Sequence, residues 1–161
     1  MELKFLSVNL NTVNQVLTEE QINKAIELQN NLIQWEIENK TLLCDQDGLS
    51  GLSADITGLL RYDNQVLYIA LNPVDDLPVG ITVAEPHPEN PLICGLMSVA
   101  VDPAFHREGI GSELMNKIKD DLRDNGFKEI VLFVDFRSPQ ALAFYTSLGF
   151  QLTFANASLG I

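Results

Sequence analysis

The chain has 161 residues, 46% of them hydrophobic, and a formal net charge of −12. This size allows one core to form without metals or disulfides, and we expect a single domain over residues 1–161. No apolar run reaches the roughly 18 residues of a membrane-spanning helix. The acidic balance disfavours nucleic acids and anionic membranes as partners.

The acidic residues are concentrated in the first 100 positions. Residues 1–100 hold 14 acids and 4 bases, a net charge of −10, whereas residues 101–161 hold 8 acids and 6 bases, a net charge of −2. The negative electrostatic potential of these residues attracts a cationic partner. The alternative is that these charges only keep the protein in solution.

The cysteines and the N-terminus bear on location. Cys44 and Cys94 follow no metal-binding spacing, and nothing else in the sequence predicts a metal site. We expect two free thiols in a reducing cytoplasm, with a disulfide between them as the alternative. The first residues lack the basic start and apolar run of a signal peptide, which also favours a cytoplasmic protein.

In chain order, residues 3–8 predict a first strand. Thr18 and Gln21 form a capping box, which predicts the start of a helix over residues 18–38. The stripe of this helix consists of the apolar residues Ile22, Ala25, Ile26, Leu32, Ile33 and Ile37, with the polar Gln29 at the same spacing. A short helix is expected over residues 53–61.

The second half predicts a meander followed by a β-α-β unit. Strands are expected over residues 66–71, 77–84, 92–101, 130–134 and 150–154, and helices over 109–125 and 138–148. This order predicts an α/β fold of the α+β type, with a mixed, mostly antiparallel central sheet and helices on both faces.

The turn between strand 92–101 and helix 109–125 has the features of an anion site. Free N–H groups and the helix dipole favour an anion at a helix start, and Gly109 and Gly111 allow close approach to the backbone. The alternative is that these glycines only shape the turn. The segment is neither a Walker A loop, which needs a lysine after the second glycine, nor a complete dinucleotide-binding fingerprint.

Two segments carry a family resemblance. Residues 99–111 resemble motif A of the GNAT superfamily of N-acetyltransferases, a V-x-P strand end followed by R/Q-x-x-G-x-G/A, with His106 at the R/Q position. Residues 138–150 resemble motif B, N-x-x-A-x-x-F-Y-x-x-x-G-F, with Ser138 at the asparagine position. The resemblance covers residues 92–154 and implies the acyl-CoA N-acyltransferase fold. Its seventh strand would have to come from residues 156–161, or be absent.

The resemblance implies a site for acetyl-coenzyme A. The pantetheine arm would lie in a splay between the fourth and fifth strands, and the diphosphate would lie at the glycine turn. The implied cofactor-binding residues are Val99, Ala100, Val101, His106, Arg107, Glu108, Gly109, Ile110, Gly111, Ser112 and Ser138. Tyr145 matches the family tyrosine that protonates the leaving thiolate.

The proton acceptor for the attacking amine is left open by the sequence. Asp135 is the acid nearest the expected splay, and Glu85 and His87 are the alternatives. The alternative for each of the three is that it is a polar residue exposed in a loop, with no role in catalysis.

These features predict an N-acetyltransferase that acts on a primary amine of a cationic small molecule or basic peptide. The alternative is a non-catalytic coenzyme A-binding module, with a regulatory or protein-interaction role, on the same fold. Sheets of this kind often pair through edge strands, so a homodimer is a further hypothesis.

Overall fold

The computed structural model describes residues 2–39 and 52–153. Its strands are β1 (Lys4–Val8), β2 (Val66–Leu71), β3 (Pro78–Pro86), β4 (Ile93–Val101) and β5 (Glu129–Leu132). Its helices are α1 (Val13–Val16), α2 (Glu19–Glu38), α3 (Ile56–Leu59), α4 (Ile110–Asp124) and α5 (Pro139–Ser147), with a 3₁₀ turn at Pro103–Phe105.

Within the described residues, the five strands form one sheet in the order β1-β2-β3-β4-β5. Neighbours from β1 to β4 pair antiparallel, and β4 pairs parallel with β5. The parallel pair is joined through α4, as a parallel connection requires a crossover. The predicted mixed, mostly antiparallel sheet is therefore confirmed.

Side chains alternate between two cores, one on each face of the sheet. Along β2, Leu67 and Ile69 enter the core that α1, α2 and α3 cover, whereas Tyr68 and Ala70 enter the core beneath α4 and α5. Each fully buried Leu or Ile contributes roughly 1.5–3 kcal/mol to folding. The expected helices on both faces are thus present.

The helix ends agree with the sequence signals. The hydroxyl of Thr18 accepts the N–H of Gln21, and the Gln21 side chain accepts the N–H of Thr18, so the predicted capping box closes the start of α2. Gly126, at φ +91°, follows the end of α4. Phe127 N–H then bonds back to the carbonyl of Leu122, which terminates the helix.

The predicted last strand is not present in residues 150–153, which the structure describes. Gly149 adopts φ +89°, and the Phe150 N–H donates to the Tyr145 carbonyl oxygen at 3.0 Å. This C-terminal motif uses the N–H group that a strand would need at its start. Phe154 and the expected seventh strand at 156–161 lie outside the described residues.

The structure also bears on the cysteines and on membrane crossing. Cys94 is a free, buried thiol whose pKa burial raises to about 11, while Cys44 lies outside the described residues. In residues 2–39 and 52–153, none of the helices has the length and apolarity to cross a bilayer. The single domain and the homodimer remain predictions.

Candidate active site

A gap between β4 and β5 marks the candidate site. The pairing of these strands runs from Ile93 opposite Glu129 to Leu96 opposite Leu132. β5 ends there, whereas β4 continues to Val101. The last part of β4 therefore has an open edge on the side where β5 would lie.

A β-bulge stands where this pairing stops. On the β3 side, Ala84 lies opposite Leu96 and Thr82 lies opposite Val99, so β4 places two residues opposite one. A bulge bends its strand and increases the local twist. The extra residue accordingly turns β4 away from β5 and opens the gap.

Hydrogen bonds hold this bulge in place from both sides. The hydroxyl of Thr82 donates to the carbonyl oxygen of Ser98. The hydroxyl of Ser98 donates to Gln29 Oε1 at 2.7 Å, which ties the bulge to α2. The gap is thus fixed by the sheet and by the helix above it.

The backbone of β4 directs specific groups to the open edge. Asp102 N–H donates to the Val79 carbonyl at 2.8 Å, toward β3. Because successive residues of a strand alternate in direction, the N–H and C=O groups of Val99 and Val101 point away from β3, into the gap. Ala100, between them, points its backbone groups at β3, and its side chain is buried. The open edge can therefore pair with an extended ligand as a strand would.

His106 already occupies part of this edge. Its Nε2 lies 3.0 Å from the carbonyl oxygen of Val101, and because a carbonyl only accepts, the ring nitrogen donates. The ring is exposed. The sequence placed His106 at the anion turn, and the structure instead directs its side chain to β4.

The loop before α4 presents a row of free backbone donors. Arg107 and Gly109 adopt left-handed backbone angles, φ +68° and +84°, which rotate successive N–H groups toward one side. Within the described residues, no protein acceptor is found for the N–H groups of Arg107, Gly109, Ile110, Gly111 and Ser112. Those of His106 and Glu108 make long bonds, 3.3 and 3.4 Å, to carbonyls of the preceding 3₁₀ turn.

We call this row of donors, from Arg107 to Ser112, the anion cradle, because its geometry suits an anion. The helix dipole of α4 adds partial positive charge at its start, and free N–H groups at a helix start bind phosphates well. A non-glycine residue such as Arg107 in the left-handed region costs energy, which is typical of functional loops. The residues present therefore fit the diphosphate of coenzyme A.

Gly111 brings the cradle, β4 and α5 together. A Cβ at this position would stand 3.2 Å from Phe144 Cζ and 3.6 Å from Val101 Cγ2. A Cβ here would make Phe144 shift by a few tenths of an ångström, so glycine allows the first turn of α4 to pack closely on α5. The two motifs noted in the sequence are thus in direct contact.

Tyr145 follows Phe144 on α5 and lies among aromatic rings. Its ring centroid is 5.1 Å from that of Phe144 and 5.6 Å from that of Phe150, both edge to face. Burial, with a smaller contribution from the charge of Glu36, raises the pKa of the Tyr145 phenol to about 12. The phenol is therefore protonated at neutral pH and able to donate.

Asp135 is held by its neighbour Arg137. Both carboxylate oxygens accept the guanidinium Nε–H at 3.0 Å, and Oδ1 also accepts the Arg137 backbone N–H at 2.8 Å. This pairing lowers the pKa of the Asp135 carboxyl, whose side chain is only 4% exposed. The Asp135 carbonyl accepts the N–H of Ser138, a buried residue at the N-cap of α5. Asp135 therefore shapes the turn that leads to Tyr145.

The other two expected proton acceptors lie near the start of β4. Glu85 pairs in register with Gly95, and its Oε2 accepts Gln65 Nε2–H at 2.7 Å. His87 is exposed in the loop before β4, and its Nδ1 accepts the N–H of Glu89. The open edge is at the opposite end of the strand.

The structure also brings in an acid that the sequence analysis missed. Glu36, on α2, interacts electrostatically with both Asp135 and Tyr145. Burial, and next the charge of Asp135, raise the pKa of its carboxyl. The available signal was its position between Ile33 and Ile37, at the border of the apolar stripe of α2.

In the described part of the chain, no group of three or more His, Cys, Asp or Glu side chains is arranged to hold a metal ion.

Comparison with known proteins agrees with this geometry. The family model described as the acetyltransferase (GNAT) family matches residues 23–150. The ribosomal protein bS18 alanine N-acetyltransferase of Escherichia coli K12 is 38% identical over 56 residues. That match covers 35% of this chain and 38% of the relative, so the chain aligns with well under half of this curated relative.

Solved structures share the fold over nearly the whole chain. An aminoglycoside acetyltransferase from an uncultured soil metagenomic sample, HMB0005, is 18% identical with a TM-score of 0.67, and the match covers 100% of this chain and 99% of the other. The aminoglycoside N-acetyltransferase AAC(6')-Iy in complex with coenzyme A is 15% identical with a TM-score of 0.66, covering 99% and 95%. At such identities the likeness extends to the fold alone.

Proposed function

Since the chain belongs to the acetyltransferase (GNAT) family, we propose that it transfers the acetyl group of acetyl-coenzyme A to a primary amine. The observation that carries this proposal is the row of five free N–H groups in the loop before α4 and in its first turn, close to the end of the open edge of β4. A long ligand with an anionic diphosphate and an amide-containing arm matches both features.

Different residues bind different parts of the ligand. The N–H groups from Arg107 to Ser112 hold the diphosphate, with the exposed Arg107 side chain adding positive charge. The backbone groups of Val99 and Val101 pair with the arm once the His106 ring has moved from the Val101 carbonyl. Ser138, at the N-cap of α5, and Glu108, in the loop before α4, are proposed to border this region, and Ala100 holds β4 there through its pairing with β3.

Tyr145 takes part in the chemistry, and the Asp135–Arg137 pair positions it. Acetyl-coenzyme A supplies an activated thioester, whose carbonyl carbon accepts the amine and whose sulfur leaves. Tyr145 holds a phenolic proton at neutral pH and provides it to the departing thiolate. Asp135 and Arg137 hold the turn before α5 and so position Tyr145.

The acceptor we propose is a cationic amine: a polyamine, an amino sugar or a basic peptide terminus. The net charge of −10 over residues 1–100 favours such acceptors. Two of the solved structures are named for aminoglycosides, and one relative for a ribosomal protein alanine, all of which offer amines. We expect kcat/KM for a cationic amine to fall as salt is raised, and that for a neutral amine to stay constant. Equal salt dependence would contradict the cationic acceptor.

Calorimetry on the folded protein tests the cradle. Two or more charge-assisted hydrogen bonds, each about 1.5 kcal/mol or stronger, predict that coenzyme A binds at least about 100-fold more tightly than pantetheine, which lacks the diphosphate. An absence of heat with coenzyme A contradicts the proposal.

Release of free thiol from acetyl-coenzyme A, measured with a panel of amines, tests transfer. We expect thiol release that depends on the amine, with acetylated product detected by mass spectrometry. Binding of coenzyme A without transfer to any amine would instead support the non-catalytic binding module.

A further inference from the structure

Helix α2 contacts β4 on both sides of the stretch that the ligand arm is proposed to use. At the bulge, Gln29 accepts the hydroxyl of Ser98 at 2.7 Å. Just beyond the end of the strand, Lys24 Nζ lies 3.2 Å from Asp102 Oδ2. Residues 99–101 of the open edge lie between these two contacts. The helix therefore holds this stretch of β4 at its start and at its end.

Asp102 uses all of its polar groups to hold the corner after β4. Its N–H donates to the Val79 carbonyl at 2.8 Å, which ties it to the neighbouring strand. Its Oδ1 accepts the Ala104 N–H at 3.0 Å, and its carbonyl accepts the Phe105 N–H at 2.9 Å, so it caps the 3₁₀ turn. Its Oδ2 pairs with Lys24. Asp102 thus fixes the direction in which the chain leaves the open edge.

The anion cradle follows directly from this turn. The N–H groups of His106 and Glu108, on either side of Arg107, bond to carbonyls of the 3₁₀ turn at 3.3 and 3.4 Å. Bonds of this length are weak. The position of the cradle therefore depends on how firmly Asp102 holds the start of the turn.

The ion pair between Lys24 and Asp102 is largely shielded from solvent. The two side chains are 25% and 16% exposed, so salt and water screen their attraction less than that of a surface pair. Lys24 Nζ also donates to Glu27 Oε1 at 2.9 Å. Glu27 lies on the same helix and its side chain is 54% exposed, so this second bond does not join α2 to β4.

We propose that Lys24 is a positioning residue for coenzyme A, because through Asp102 it keeps the anion cradle at a fixed place relative to the open edge of β4. This inference rests on the proposed function. A ligand that occupies both regions at once must match the distance between them, whereas a ligand that occupies the cradle alone need not. Loss of Lys24 therefore weakens the binding of intact coenzyme A more than that of a diphosphate fragment.

The binding test compares K24M with E27Q by calorimetry. K24M removes the ion pair and keeps an unbranched side chain, whereas E27Q removes the other partner of Lys24 and leaves its contact with Asp102. The probes are coenzyme A and ADP, which carries a diphosphate without the arm. We expect K24M to bind coenzyme A about tenfold more weakly and ADP within about twofold of the wild type, since the lost ion pair is only partly buried. E27Q should bind both probes as the wild type does, and K24R should restore most of the affinity for coenzyme A.

A kinetic readout separates positioning from a loss of stability. We expect K24M to raise KM for acetyl-coenzyme A about tenfold and to leave kcat unchanged, because the ion pair touches no reacting atom. A merely structural role would lower Tm without moving KM at temperatures well below Tm, where circular dichroism shows that the variant is folded.

A double mutant tests whether Lys24 acts through Asp102. The D102N side chain keeps an oxygen to cap the 3₁₀ turn and loses the charge that attracts Lys24. We expect the double variant K24M/D102N to bind coenzyme A no more weakly than the weaker of the two single variants, since both remove the same pair. Losses that add would overturn the action through Asp102.

The remaining outcomes distinguish this inference from the proposed function. Equal weakening of coenzyme A and ADP in K24M would mean that Lys24 contacts the diphosphate itself, and an unchanged affinity for coenzyme A would mean that it has no part in binding. Either result overturns the positioning role and leaves the function intact. A wild-type protein that does not bind coenzyme A contradicts the proposed function and, with it, this role.

Discussion

His106 Nε2 lies 3.0 Å from the carbonyl oxygen of Val101, so this side chain satisfies a group on the edge that the cofactor arm is proposed to use. A ligand must displace the ring before it can pair with that carbonyl. We expect H106A to bind coenzyme A about three- to tenfold more tightly, since one hydrogen bond contributes roughly 1 kcal/mol. Calorimetry measures this change, and weaker binding by H106A would instead indicate a direct contact between His106 and the ligand.

Gly109 and Gly126 form a matched pair for testing the anion cradle. Both adopt left-handed angles, φ +84° and +91°, and at neither would an added Cβ meet another atom within 4 Å. We expect G109A and G126A each to lose about 1 kcal/mol of stability, measured by denaturant unfolding. Only G109A should weaken coenzyme A binding, by tenfold or more. Similar affinities for both variants would place the diphosphate elsewhere.

Tyr145→Phe removes the proposed proton donor and keeps the ring. We expect kcat to fall at least tenfold with coenzyme A affinity unchanged, because the phenol acts only as the thiolate departs. Tyr68→Phe is the control, since the Tyr68 hydroxyl donates to Asp121 at 2.6 Å beneath α4, away from the gap. That variant should lose stability and keep kcat. An unchanged kcat in Y145F would exclude the acid role.

Arg137→Met removes the partner of the buried Asp135 carboxylate. The pKa of Asp135 is lowered in the folded protein, so the pair stabilises the fold above the unfolded pKa of this carboxyl and loses its effect as the pH falls through the folded pKa. We expect a lower Tm for R137M at pH 7 and a deficit that shrinks on acidification toward pH 3. Calorimetric scans at several pH values measure it. A deficit independent of pH would mean that the pair is not the cause.

Local signals in the sequence were sufficient for most of the fold. Thr18 and Gln21 predicted the start of α2, and Gly126 predicted the end of α4, because caps depend on residues close in sequence. The expected strand at 150–154 was wrong over residues 150–153, where alternating Phe150 and Leu152 imitate a strand. The left-handed Gly149 closes α5 there instead.

The sequence predicted the parts of the site that are formed by residues close together in the chain. The cradle before α4 depends on a short run of backbone, and the glycines indicated it. Glu36 was missed because its relation to Tyr145 joins residues 109 positions apart on opposite faces of the sheet. The engagement of Asp135 by Arg137, two residues away, was within reach of the sequence but was not inferred from it.

The open edge of β4 also sets a length. Five residues of β4, 97–101, lie beyond its last pair with β5, which corresponds to roughly 16 Å at about 3.3 Å per residue. The anion cradle lies just beyond the Val101 end of this span. A ligand held by its phosphates at the cradle therefore needs a linker of about this length to bring its thioester to the bulge, and a shorter linker would end before it.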